Sequence, residues 1–310
     1  MLPTPRIILE TLLPHLQVAA NYAKEIQPRI VAQPDKPDMG STFAAALSDA
    51  DLSIQTLVEV ALLGTFPHLH FYGEEYEKSY NTKYFKSLDI PQDDNYLVLL
   101  DPIDGTQFYL DGHANYHIIV SIVDRQDYCA VLMINPVNQA YFYAFRGEGA
   151  YYGTLAETMG KSSRPTLQTD VPLILAQERS PESSVLYLGS QLSGMKVHLP
   201  PVYPIVNLAT DYSKTIQMAN HTDVLTGLLA GSALASAKLI DVAAIAFIAQ
   251  EAGCIVTTLA GNSPPPLTEI NTLNLRDYSR PGGVIIAANA DIHQALLSAA
   301  IAAQVTEALR

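Results

Sequence analysis

The stretch Asn95-Tyr-Leu-Val-Leu-Leu-Asp101-Pro102-Ile103-Asp104-Gly105-Thr106 constrains this chain more than any other. Tyr96 to Leu100 are apolar and β-favouring, and predict a buried strand. The strand then runs into two carboxylates, Asp101 and Asp104, followed at once by Gly-Thr. Pro102 fixes its own φ and keeps Asp101 extended. Gly105 allows a tight turn or a close approach of backbone to a ligand. If a helix starts at Thr106, its unbonded N–H groups attract anions, phosphate above all. Carboxylates repel anions, so the two halves fit together only with a cation between them. Asp101 and Asp104 would hold a hard divalent metal, and the Gly105 and Thr106 amides a phosphate bound to it. The plainer alternative is a strand ending in an Asp-Pro turn, with Asp104 capping the next helix.

At 310 residues the chain is long enough for two domains with sizeable cores. Charged residues make up only 16%, below the roughly 25% of an average domain, so the chain should be well buried. A net charge of -13 argues against binding a nucleic-acid polymer, which needs a basic surface. Cys129 and Cys254 sit in apolar runs without CxxC spacing and read as buried, reduced thiols. The N-terminal segment lacks a signal-peptide pattern, and no run reaches the ~18 apolar residues of a membrane span. The expectation is a cytoplasmic protein with no membrane partner.

Ile7 to Gln27 has helical spacing, with Pro14 expected to kink or split it. Gln33 to Gly40 reads as a loop. A second helix is predicted over Ser48 to Leu63, opened by the capping-box pattern Ser48-Asp-Ala-Asp51. Leu69 to Tyr72 reads as a short strand ending in Gly73-Glu74-Glu75, and Tyr76 to Asp94 as a polar, tyrosine-rich excursion. His117–Asp124, Tyr128–Asn135 and Ala140–Arg146 predict three antiparallel strands, and Ala150 to Tyr152 a short continuation. The polar segment Thr154 to Asp170 is the expected domain boundary. It separates an N-terminal α+β domain (1–153) carrying most metal ligands from a C-terminal α/β domain (154–310) carrying Asp241 and substrate contacts. In the second half, Val171–Ala176, Cys254–Leu259 and Gly283–Ala288 read as strands. Ala243–Ala252, ended by Gly253, and Asp291–Leu309 read as helices. Residues 177 to 212 resist assignment, and Ala260 to Arg280 reads as a loop.

Acidic candidates come from four segments: Asp51, Glu74 with Glu75, Asp101 with Asp104, and Asp241. Each has a plain reading. Asp51 could be only the acidic arm of a capping box, Glu74-Glu75 a solvated turn, and Asp241 an N-cap. Mg²⁺ takes oxygen ligands and keeps several waters, so a few carboxylates suffice for two ions.

Taken together, Gly73-Glu74-Glu75, Asp101-Pro-Ile-Asp-Gly-Thr106, and Asp241-Val-Ala-Ala244 with Glu251-Ala-Gly253 resemble the three signatures of the inositol monophosphatase family, lithium-sensitive, Mg²⁺-dependent phosphomonoesterases. Arg146-Gly-Glu-Gly-Ala150 and Gly283 to Asn289 also resemble family positions. The resemblance spans roughly residues 40 to 290 and implies a layered αβαβα sandwich of the inositol monophosphatase and fructose-1,6-bisphosphatase type. It implies two or three Mg²⁺ ions, with Glu74, Asp101 and the Ile103 carbonyl on one, and Asp101, Asp104 and Asp241 on another. Glu75 would support these ligands from behind. Asp51 and Thr106, with Glu74 counted beside them, would orient and deprotonate the attacking water. The phosphate would rest on the Gly105 and Thr106 amides. A small phosphorylated metabolite is the implied substrate, and the resemblance suggests a homodimer.

The chain also departs from the family. Ile240 stands where a Trp is usual. Leu234 stands seven positions before Asp241, where members acting on inositol phosphate carry an acidic residue that meets a sugar hydroxyl. The segment Gln107 to Ile122 is longer than in inositol-specific members, closer in length to the branch acting on 3′-phosphoadenosine phosphate, though Gln107-Phe-Tyr109 replaces that branch's Lys-Glu-Phe. Asp111, His113, Asn115 and Tyr116 there could shape a substrate pocket or form a surface loop. The alternatives are therefore a 3′(2′),5′-bisphosphate nucleotidase, a fructose-1,6-bisphosphatase or other sugar phosphatase, or an inert relative that binds metal or phosphate as a regulator. Gly160-Lys161-Ser162 lacks the earlier glycine of a phosphate-binding loop, and the His68/His70 and His113/His117 pairs are poor zinc candidates.

Overall fold

The computed structural model describes residues 2–30, 48–75, 95–155, 167, 170–269 and 279–308. The loop expected at Gln33–Gly40, the excursion Tyr76–Asp94, most of Thr154–Asp170 with Gly160–Ser162, residues 270–278 of the late loop, and Leu309 lie outside the described residues. The described residues fall into two compact units. The first takes Met1–Arg146 and Tyr151–Pro172, and the second Gly147–Ala150, Leu173–Asn271 and Asp277–Arg310.

In the first unit, helix α1 (Pro5–Ile26) begins with Pro5 in its first turn and the Thr4 hydroxyl accepting from the Ile7 N–H. Pro14 lies inside it and does not split it, contrary to one expectation. An interior proline costs about 3 kcal/mol. Ile8, Leu9, Leu12, Leu13 and Leu16 are all buried on one face, and each contributes about 1.5–3 kcal/mol, so packing outweighs the lost bond. Helix α2 (Asp49–Thr65) opens on the expected capping box. Strand β1 (His70–Gly73) follows, then β2 (Leu97–Asp104), the short helix α3 (Thr106–Leu110), and strands β3 (His117–Val123), β4 (Tyr128–Asn135), β5 (Ala140–Phe145), β6 (Gly149–Thr154) and β7 (Val171–Leu173).

These seven strands form one sheet in chain order. β1 and β2 are parallel, and β2 through β5 are antiparallel. Period-two alternation puts Val98, Leu100, Ile118, Val120, Ile122, Leu132, Ile134, Tyr143 and Phe145 into one core with α1 and with Ile54, Val58 and Leu62 of α2. Two expectations are corrected. β2 does not stop at Leu100 but carries Asp101 and Asp104 within the strand, across a register shift where Pro102 has no N–H to give. β7 does not open the second half; it is the edge strand of the first sheet, the position that tolerates Pro172.

In the second unit the segment that resisted assignment holds strands β8 (Leu186–Leu188) and β9 (Ile205–Asn207) and the one-turn helix α4 (Leu208–Asp211). Strands β10 (Gly231–Leu234) and β11 (Ala237–Lys238), helix α5 (Val242–Glu251), strands β12 (Ile255–Thr257), β13 (Ser279–Arg280) and β14 (Val284–Ala287), and helix α6 (Ala290–Ala308) complete it. The five-stranded sheet runs β12-β14-β10-β8-β9. It is mixed rather than wholly parallel: β8 is parallel to β9 and β10, while β14 is antiparallel to β10 and β12. Leu186, Leu188, Ala233, Ile285 and Ala287 form its core with Ile292, Leu296 and Ala299 of α6. No helix among the described residues is long and apolar enough to cross a membrane.

Candidate active site

Parallel pairing sets the Glu74-Glu75 and Asp101-Asp104 segments side by side. Gly73 stands opposite Leu100, and the Glu74 N–H donates to the Leu100 carbonyl at 3.0 Å, so Glu74 leaves β1 beside Asp101 of β2. Asp101 and Asp104 are 3% and 7% exposed, and Glu75 is buried as well. Burying several carboxylates is costly unless hydrogen bonds or cations compensate.

α2 fixes the Glu74-Glu75 turn from behind. The Gln55 side-chain oxygen accepts the Glu75 N–H at 2.9 Å, and its amide nitrogen donates to Glu59 at 3.3 Å. Gln55 lies so close to Gly73 that a β-carbon there would overlap its amide, which is why this turn needs glycine. Sequence reasoning missed Gln55. The available signal was the spacing Asp51, Gln55, Glu59, a polar stripe at i, i+4 and i+8 on an otherwise apolar helix.

Asp51 is fully buried and does form the capping box. Its Oδ2 accepts from the Ser48 N–H at 2.8 Å and hydroxyl at 2.6 Å. It also stands within electrostatic reach of α3: burial first, then Tyr116 and the Asp51 carboxylate, raise the pKa of Tyr109.

Gly105 caps α3 with φ 82° and ψ 39°, a left-handed conformation that favours glycine. The first helical bond is from the Tyr109 N–H to the Gly105 carbonyl at 3.0 Å. The Thr106 hydroxyl donates to the Ile103 carbonyl at 3.0 Å, fixing one carbonyl expected to face a cation. The segment after α3 is not a surface loop. His113, Asn115 and Tyr116 are buried, and Tyr116 packs edge to face on Tyr109 at 4.6 Å between ring centroids. Gln27 donates to the carbonyls of Tyr109 and His113.

Asp241 lies in the second unit and caps α5, its carboxylate accepting from the Val242 N–H. The plain capping role allowed by its position is thus realised. Glu251, at the other end of α5, accepts from the Gly147 and Gly149 N–H groups, each at 3.0 Å. That contact gives Glu251-Ala-Gly253 and Arg146-Gly-Glu-Gly-Ala150 a shared structural reason.

The donor set in the first unit is all hard oxygen, which suits Mg²⁺ rather than zinc or copper. Among the described residues no group of three or more His, Cys, Asp or Glu side chains is gathered at metal-binding distance. The fit therefore rests on neighbouring donors: Glu74 beside Asp101 across the strands, and Asp101 and Asp104 along one strand.

Comparison with known proteins places the chain in a family and a fold. The model of the inositol monophosphatase family matches residues 11–307. Inositol-1-monophosphatase of Rhizobium meliloti (strain 1021) is 27% identical over 105 residues, 34% of this chain and 36% of that protein, so the match spans about a third of the relative's length. An IMPase of Thermotoga maritima shares the fold with a TM-score of 0.69 at 18% identity, over 96% of this chain and 98% of that one. An IMPase/NADP phosphatase solved with Mg²⁺ and phosphate has a TM-score of 0.61 at 17% identity, over 92% and 91% of the two chains. The α+β architecture, helices layered on mixed sheets, is the one these structures share. With its family signature matched across nearly its whole length, the chain belongs to the inositol monophosphatase family of phosphatases.

Proposed function

We propose that this chain is a Mg²⁺-dependent phosphomonoesterase acting on a small phosphorylated metabolite. The observation that carries the reading is the meeting of Glu74 with the Asp101/Asp104 end of β2, next to the left-handed Gly105 that starts α3. The structural neighbour complexed with Mg²⁺ and phosphate supports it.

Glu74, Asp101, the Ile103 carbonyl and Asp104 would hold the ions. Bound Mg²⁺ supplies a nucleophilic water at neutral pH and charge stabilisation for the leaving oxygen. The protein's own groups do the rest. The Thr106 hydroxyl spends its proton on the Ile103 carbonyl, so towards an incoming water it acts as an acceptor and orients it. Asp51, held by Ser48, is the proposed proton acceptor. The Gly105 and Thr106 N–H groups cradle the phosphate, and Glu75, anchored on Gln55, keeps the ligand turn in place. Two or three ions, lithium inhibition and a homodimer complete the proposal on the strength of family membership.

The test is phosphate release with Mg²⁺, with and without lithium, across inositol phosphates, fructose bisphosphate, histidinol phosphate and phosphoadenosine phosphate. Asp104→Asn should lower the rate at least about a hundredfold, roughly 2.7 kcal/mol of barrier. A parent-like rate in that variant overturns the assignment. Zero turnover of every substrate by the parent protein would favour the inert, ligand-binding regulator.

A further inference from the structure

We propose that His117 is a positioning residue for Asp104, held by Asn135 in the Nδ1–H tautomer so that its N–H faces the carboxylate. The inference rests on reading Asp104 as a metal ligand and adds a residue that the family signatures do not include.

The tautomer follows from a chain of donors and acceptors. The Asn138 N–H donates to Asn135 Oδ1 at 2.8 Å, which fixes the orientation of the Asn135 amide. Its nitrogen therefore points the other way, 3.3 Å from the Ala114 carbonyl and 3.2 Å from His117 Nε2. An amide nitrogen only donates. His117 Nε2 must therefore accept, and the imidazole proton must sit on Nδ1. Nδ1 lies 3.8 Å from Asp104 Oδ2. Among the described residues it has no hydrogen-bond partner closer than that.

The backbone puts these groups together. Asp104 and His117 are register partners across β2 and β3, beside the register shift that turns the Asp101–Asp104 segment. His117 is 2% exposed and Asp104 7%, so water screens the contact little. The separation is longer than a hydrogen bond and within ion-pair range. An N–H on one carboxylate oxygen commits that oxygen to the protein and fixes which way the other faces. Such outer partners of ligating groups restrict orientation and raise metal affinity.

A histidine that merely fills space in an apolar strand predicts something different, and two measurements separate the readings. In the metal-free protein, long-range ¹H–¹⁵N correlation of the imidazoles should show His117 protonated at Nδ1 and bare at Nε2. The Nε2–H form overturns the proposal. In titration calorimetry with Mn²⁺, His117→Leu should weaken binding about 10–100-fold. His117→Asn, which carries an amide N–H at the same number of bonds from the backbone as Nδ1, should recover most of the loss. Equal weakening in both variants, or none in His117→Leu, overturns the proposal while leaving the site assignment standing. If the parent protein binds no Mn²⁺, the site assignment fails and this inference with it. Thermal unfolding of each metal-free variant confirms that the comparison is between folded proteins.

Discussion

Gln55 occupies the space that a side chain on Gly73 would need, and the same amide holds the Glu75 N–H at 2.9 Å. The Glu74-Glu75 turn is therefore built against α2 rather than left to β1 alone. Gly73→Ala should push Gln55 aside, break its bond to Glu75 and cost about 1–3 kcal/mol, the usual range for overpacking. Gln55→Ala removes the obstacle but also the acceptor. The double variant should then be more stable than the two single losses add up to, because the clash exists only when both side chains are present. Urea denaturation of the four proteins measures this, and strict additivity would contradict the contact.

Glu251 makes a comparable clamp in the second unit, with one carboxylate oxygen on each of the Gly147 and Gly149 N–H groups. Both glycines have positive φ, 72° and 85°, so the turn between them is strained for other residues and needs an external anchor. Hydrogen bonds to a charged group contribute about 1.5–3 kcal/mol each where water is excluded. The Gly147 N–H is exposed and can turn to water, so Glu251→Ala should cost about 2 kcal/mol in total. Glu251→Gln keeps one acceptor oxygen and should lose roughly half of that. Chemical denaturation checks both values, and faster exchange of the Gly149 amide in Glu251→Ala would locate the loss.

The legibility of this chain varies with how local its signals are. β3, β4 and β5 were readable because Val, Ile and Tyr alternate between turn residues, and the same alternation builds the core. The strand-to-helix turn from Asp101 to Thr106 was readable because Pro102 and Gly105 impose a local geometry. β8 and β9 are three residues each, too short for periodicity to register. The role of Gln55 was hidden because its partner Glu75 is 20 residues away. His117 stood out only as half of a poor zinc pair with His113, since Asn135, which sets its tautomer, is 18 residues away across a hairpin. The plain readings of two acidic candidates were legible and are realised: Asp241 caps α5, and Asp51 completes the capping box of α2.

Asp124 and Arg146 give the first unit an acid-sensitive contact. Arg146 binds both Asp124 oxygens at 3.0 Å and donates to the Tyr128 and Asp127 carbonyls. Burial alone would raise the Asp124 pKa, but Arg146 and the Asp127 and Gln126 amides outweigh it and hold the carboxyl well below its usual range. A folded-state pKa below the unfolded value stabilises fully above the unfolded value of about 3.9. The stabilisation is lost as pH falls from there through the folded value. Arg146 is 38% exposed at its side chain, so solvent screening limits the contribution to about 1 kcal/mol. Arg146→Met should thus lower the thermal midpoint at pH 6, and the gap to the parent should close as pH drops below about 4. A gap that widens on acidification would have the wrong sign for this contact.

Leu234 turns the question of substrate into a measurable one. It ends β10, paired with Val284 of β14 and only partly buried, so a longer polar side chain can reach solvent without emptying the core. By the family resemblance this is the position from which inositol-specific members offer a carboxylate to a sugar hydroxyl. A leucine offers no acceptor, and a hydroxyl brought against it loses its water partners without replacement. Leu234→Glu should therefore raise kcat/KM for inositol phosphate by at least about tenfold, the equivalent of one charge-assisted hydrogen bond. The gain should appear mainly in KM, because the hydroxyl is remote from the reacting phosphate and is held equally before and during the reaction. Activity toward a substrate without a hydroxyl at that place should fall or stay level. An equal rise for both substrates would mean that residue 234 acts through stability or expression and does not meet the substrate.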